Sequence, residues 1–152
     1  MGRHQTEINE LGVAEQFYSA IGRFISEFSQ LEFSFKVYIA ETAGLPDEYF
    51  DQIMSHDFAM LCTIAENVLP REMDEGRKAQ LKALISKCRE LNNHRIRVAH
   101  GLWVIGAGKL LHVSRQKLET STHYQRNAGE VAAQADIAND LRSEFERIWG
   151  WE

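Results

Sequence analysis

Residues 81–103 read LKALISKCRELNNHRIRVAHGLW, and the reading of this stretch decides the fold. Leu81, Leu84, Ile85, Cys88, Leu91 and Val98 recur at three-, four- and seven-residue steps, the period of one buried helical face. With Gly101 placed to end it, the pattern predicts a long helix from about Arg77 to His100. Each residue advances about 100° round such a helix, so Glu90, Asn93, Arg97 and His100 share one narrow polar stripe on the opposite side. Arg95 falls instead beside Leu91 and Val98, where an unpaired guanidinium is costly; it needs an anion, a partner chain or an open groove. Seven of the chain's 17 basic residues (Arg77, Lys78, Lys82, Lys87, Arg89, Arg95, Arg97) lie between Arg77 and Arg97 beside one acid, Glu90. The helix is therefore positive on a chain whose net charge is −5.

Outward from this stretch the same period recurs. Val13, Phe17, Ile21, Phe24, Phe28, Leu31, Phe35 and Tyr38 predict a long amphipathic helix over 13–43, with a short turn ending at Gly12 before it and Gly44 and Pro46 as stop signals. Residues 47–69 predict a short helix and then a longer one, with Asp57 of the His56-Asp57 pair capping the second and Pro70 closing the segment. After Gly101 the period changes. Leu102 to Ile105 and Leu110 to Val113 read as two strands joined by the Gly106-Ala107-Gly108 turn, a small β-hairpin over about 102–113. Residues 116–127 are polar and read as a surface loop, and Asn127 with Glu130 forms a capping box that opens a last helix through Trp149. The expected fold is all-α: an antiparallel bundle of four to five helices with the hairpin inserted before the C-terminal helix, in one domain over 1–152.

Composition narrows the class of function. A chain of 152 residues buries about two thirds of its unfolded surface, enough for one core without staples. The acidic balance argues against a general nucleic-acid coat, whose affinity comes from a broad basic surface, and leaves a local anion site open. Cys62 and Cys88 form no CxxC pair and are spaced as core residues on separate helices, so a reduced, cytoplasmic setting is expected. No apolar run reaches membrane-span length and no signal-like segment opens the chain, so no membrane role is expected. Gly106-Ala107-Gly108 lacks the strand-to-helix setting of a phosphate loop. His94, His100, His112 and His123 have no ligand spacing such as HExxH and no accompanying carboxylate cluster, so neither metal nor cofactor is expected.

Convergent polar chemistry is confined to Asn92-Asn93-His94-Arg95-Ile96-Arg97-Val98-Ala99-His100-Gly101. Arg95-Ile96-Arg97-Val98-Ala99-His100 resembles the motif of the HEPN family, the higher eukaryotes and prokaryotes nucleotide-binding domain. That motif is an arginine, four to six residues and a histidine at the end of a bundle helix. The trailing Ala99-His100-Gly101-Leu102-Trp103 resembles the small-His-Gly-x-Trp ending of bacterial members, and the helix containing Leu31-Glu32 fits the same architecture. Arg89 and His94 satisfy the bare spacing too; the helix end, the glycine and the hairpin favour Arg95 and His100.

The resemblance implies a metal-independent RNA endonuclease of toxin or phage-defence type. It would act as a homodimer with facing Arg95 and His100 pairs, neutralised by an antitoxin or another regulatory protein. A histidine, with an ordinary pKa near ~6.5, exchanges a proton with the ribose 2′-hydroxyl or the leaving oxygen. An arginine offers a planar set of donors to the phosphate as charge builds. Asn92, Asn93, Arg97 and Glu32 are the expected supporting or RNA-binding residues, although Glu32 also reads as a solvated acid. One departure stands out: active members place a polar residue after the motif arginine, and here it is Ile96, for which Asn92 or Asn93 would have to substitute. The alternative is a catalytically silent HEPN-like module that binds nucleotide, RNA or a partner protein. There His100 is a helix-terminal histidine favoured by the dipole, and Arg95 makes an ion pair between subunits.

Overall fold

Helix α1 begins at Gly2 and runs unbroken to Ala43 in the computed structural model, which describes residues 2–54, 57–106, 109–113, 120–125 and 127–150. The expected turn at Gly12 is absent. A single glycine costs a helix interior only about 1 kcal/mol relative to alanine, less than the turns on either side of it return. The stop at the far end is a Schellman motif: Gly44, at φ 64°, donates to Glu41 O at 3.1 Å and Leu45 donates to Ala40 O at 2.9 Å. Pro46 follows and cannot continue the helix.

The short connection carries a 3-10 turn (Asp47–Tyr49) and the one-turn helix α2 (Phe50–Ile53). Helix α3 (Phe58–Val68) starts on Asp57, whose side chain accepts from the amides of Ala59 and Met60 at 2.8 and 3.1 Å. The other member of that pair, His56, lies outside the described residues. A second 3-10 turn containing Pro70 leads to Asp74, which caps α4 (Glu75–His100) by accepting from the Arg77 amide at 2.9 Å. Helix α5 (Ala128–Trp149) opens on the expected capping box, Asn127 and Glu130 bonding each other's backbone at 2.8 Å in both directions.

Between α4 and α5, β1 (Leu102–Gly106) pairs antiparallel with β2 (Lys109–Val113), Leu102 opposite Val113 and Gly106 opposite Lys109. The turn residues Ala107 and Gly108 lie outside the described residues. The hairpin has a further strand that the sequence reading made part of a loop: β3 (Thr120–Gln125) pairs with β2, Leu111 opposite Gln125 and Val113 opposite Thr120, through an irregular register. Its sequence, TSTHYQ, has strand-forming Thr and Tyr but no apolar alternation, which is why periodicity missed it. Of the rest of that expected loop, 116–119 and 126 lie outside the described residues.

The core forms where the apolar faces meet. Phe35 is fully buried with its ring 5.3 Å from Phe58 and 4.4 Å from Phe145, joining α1, α3 and α5. Tyr38 stacks on Trp149 at 5.0 Å, and Arg23 pairs with Asp136, so α1 and α5 run the same way. Helix α4 runs against them: Arg77 at its start reaches Ile148 near the end of α5, Lys87 reaches Glu144, and Arg95 near its own end lies over Phe28, with Trp103 just beyond the helix 4.7 Å from Phe17. Each such aromatic contributes roughly 1.5–3 kcal/mol through burial. The result is the expected all-α bundle, antiparallel between α4 and α5 but parallel between α1 and α5 where the sequence reading expects an antiparallel bundle, with its small sheet set at the C-terminal end of α4.

Candidate functional site

The site is built on the last three turns of α4. Leu91 and Val98 are buried and hold that face of the helix against the core. Between them Asn92 is 5% exposed, the one buried polar side chain among the described residues. Its amide oxygen accepts a hydrogen bond from Nη2 of Arg95, one turn on, at 2.9 Å. The guanidinium carbon of Arg95 sits 5.2 Å from the centroid of the buried Phe28 ring, within cation–π range. Nε of Arg95 is buried with no hydrogen-bond partner among the described residues. Of the three settings the sequence left open for Arg95, the chain by itself supplies a half-buried shelf: an aromatic floor, one amide acceptor and one donor left over.

His100 is exposed in the final turn, where Arg97 is the other basic residue and a positive charge complements the helix dipole. Five residues separate it from Arg95, about 7.5 Å along the axis and about 140° round it. Arg95 therefore leans towards α1 while His100 stands on the polar stripe with Glu90, Asn93 and Arg97, all exposed as the stripe requires. Asn92 and Arg95 are brought together; Asn93, Arg97 and His100 form a second group on the outer face. Glu32 is engaged within its own helix and not with either group. It is mostly buried on α1 and pairs with Lys36 at 2.9 Å, which corrects its reading as a solvated acid. Ile96, following the motif arginine, is 43% exposed.

Phe28 is the site residue that sequence reasoning missed. It was counted as core, correctly, but nothing in its helical spacing signals that a cation lies across its face. Charge counting also misled on α4. Arg77 donates from Nε and Nη2 to Ile148 O at 2.9 and 2.6 Å, Lys78 pairs with Glu75 at 2.7 Å and Lys87 with Glu144 at 3.3 Å. Arg89 reaches Glu66 at 2.9 Å and Thr63 Oγ1 at 3.2 Å. Three of the seven bases are thus paired with carboxylates of α3, α5 or the start of α4 and a fourth, Arg77, is tied to a backbone carbonyl, so the helix presents fewer free cations than its sequence suggests.

The two cysteines are free and fully buried on facing helices. Burial pushes the Cys62 thiol up to about 12 against a smaller opposing pull from Arg89, and pushes Cys88 up further, with the neighbouring Cys62 adding to it. Neither is a nucleophile in this state. Among the described residues no three His, Cys, Asp or Glu side chains converge as a metal site, and no helix is long and apolar enough to cross a membrane. Comparison of the chain with protein-family models, curated proteins and solved structures returned no match.

Proposed function

We propose that this chain is a HEPN-like, metal-independent RNA endonuclease that works as a homodimer in the cytoplasm, as a toxin or defence effector held in check by a partner protein. The observation that carries the reading is the Arg95 shelf. A guanidinium resting on Phe28 and steadied by Asn92 keeps its orientation while the residue stays only half-buried, an arrangement that suits contact with a phosphate oxygen. An exposed histidine lies just over one turn further on. In the reaction the ribose 2′-oxygen attacks phosphorus as its proton passes to a base. The bond to the 5′-oxygen breaks, and that oxygen takes a proton from an acid, leaving a 2′,3′-cyclic phosphate and a 5′-hydroxyl. Two copies of His100 supply both proton transfers. Arg95 neutralises the phosphate, and Asn92 takes the place of the amide that Ile96 does not provide. The 140° offset between Arg95 and His100 within one helix makes the second subunit a requirement of this reading, since the partner's copies complete the pair.

The second reading, a catalytically silent module that binds nucleotide, RNA or protein, is favoured by the exposed Ile96 and by the engagement of four α4 bases in internal contacts. The two separate on purified protein incubated with single-stranded RNA and with DNA of the same sequence in EDTA. The nuclease cuts the RNA and spares the DNA, which lacks the 2′-hydroxyl; intact RNA with a ligand-dependent rise in melting temperature selects the module.

A further inference from the structure

A groove of about 420 Å³ lies between the C-terminal part of α1 and the short helical segment after it. Its floor is apolar, formed by Val37, Leu45 and Phe50. Its wall is Phe33, whose ring stands 6.3 Å from that of Phe50 and yet is 59% exposed. Glu41, Asp47 and Asp51 rim it, all exposed, and Glu48 is exposed beside them.

The rim belongs to the most one-sided stretch of the chain. Residues 37–70 contain Glu41, Asp47, Glu48, Asp51, Asp57 and Glu66 and no lysine or arginine. Asp57 is occupied in capping α3 and Glu66 in holding Arg89. The other four carboxylates, three lining the groove and Glu48 next to Asp47 in the chain, make no ion pair among the described residues. Unneutralised acids on and beside the rim of a groove with an exposed aromatic wall repel nucleic acid and any anionic ligand, and attract a cation that brings apolar surface with it.

We infer that this groove docks a basic amphipathic segment of a different protein, one or two bulky apolar side chains seated on Phe33 and Phe50 with lysines or arginines on the acidic rim. Charge complementarity selects this occupant. A second copy of this chain is the poorer fit, because its basic helix α4 has Arg77, Lys78, Lys87 and Arg89 engaged internally. The groove uses neither Arg95 nor His100, so the inference stands apart from the proposed nuclease activity.

The test uses the full chain and a fluorescein-labelled synthetic peptide of about fifteen residues, with leucines at i and i+4 and lysines between them. Wild-type protein binds it, with affinity falling as salt rises. Asp47→Lys/Asp51→Lys and, separately, Phe33→Ser weaken binding by roughly tenfold, the size expected for an interface anchor or a reversed rim, while Asp140→Lys at an exposed site on α5 leaves it unchanged. The inference is overturned by any of four results: no binding by the wild type, equal binding by the groove variants, equal binding of a peptide carrying glutamates in place of the lysines, or a wild-type dimer that separates in the groove variants, which would assign the groove to a second copy.

Discussion

The amide oxygen of Asn92 accepts from Nη2 of Arg95 at 2.9 Å across one turn of α4, and Asn92 is the buried member of the pair. A buried amide retained for one bond to a half-buried cation is costly unless both ends are satisfied. Asn92→Ala removes the acceptor and strands the guanidinium donor, which costs about 1–2 kcal/mol. The urea midpoint should fall accordingly. RNA cleavage should fall more steeply than stability, because Arg95 then loses its fixed orientation over Phe28. Cleavage that merely follows the folded fraction would place the pair in the scaffold.

Arg89 satisfies the same bare spacing to His94 that Arg95 satisfies to His100, and the structure separates the two. Arg89 spans to α3, reaching Glu66 and Thr63 at the surface. Arg89→Ala should cost only about 0.2–1 kcal/mol, as for exposed pairs, and leave RNA cleavage at the wild-type rate. A large loss of cleavage with the melting temperature intact would move the active arginine to this position.

Much of the fold was legible because the residues that set it act locally. Asp57, Asn127 with Glu130, and Gly44 with Pro46 are punctuation that works through their own backbone neighbours, and each does what its chemistry requires. Where two local signals conflict, the reading fails: Gly12 suggested a break, but the turns around it outweigh one glycine. β3 was missed because an edge strand with polar residues has no apolar period to detect. The site was legible only as a list of residue types. That Arg95 rests on Phe28, that Glu32 pairs with Lys36, and that four of seven α4 bases are engaged depend on which helix lies alongside, and spacing within one segment carries no such information.

Burial of the two thiols links stability to alkaline pH. Both thiol pKa values are raised in the folded chain, so the folded state keeps protons that the unfolded state releases above about 8.5. The stabilisation is fully present below that pH and is lost as pH climbs towards 12, by up to about 1.4 kcal/mol per unit for each thiol. The urea midpoint should therefore drop between pH 8 and pH 10 (roughly the window in which only the unfolded thiols ionise), and the drop should shrink in Cys62→Ala/Cys88→Ala. A double variant with the same pH profile would contradict it. The native thiols should also resist modification by a disulfide reagent until urea is added.

Trp103 fixes the end of α4. Its indole N–H donates to Val98 O at 3.2 Å and its ring lies against Phe17, anchoring the helix terminus that carries His100. Trp103→Ala should cost about 3 kcal/mol through the lost packing and raise amide exchange over residues 97–101, whereas Trp103→Phe should retain most of the ring contact and lose the hydrogen bond. Equal stability of the two variants would show that the ring contributes nothing.

The most direct measurement compares wild-type, Arg95→Ala and His100→Ala proteins on a defined single-stranded RNA in EDTA, with the ends of the products identified and the melting temperature of each protein recorded. Wild type should yield 2′,3′-cyclic phosphate and 5′-hydroxyl ends. His100→Ala, altered at an exposed position, should melt with the wild type and cleave at least a hundredfold more slowly, about the loss expected when a general acid–base group is removed. Undiminished cleavage by His100→Ala, or an intact substrate with the wild type, would contradict the assignment of Arg95 and His100 to catalysis.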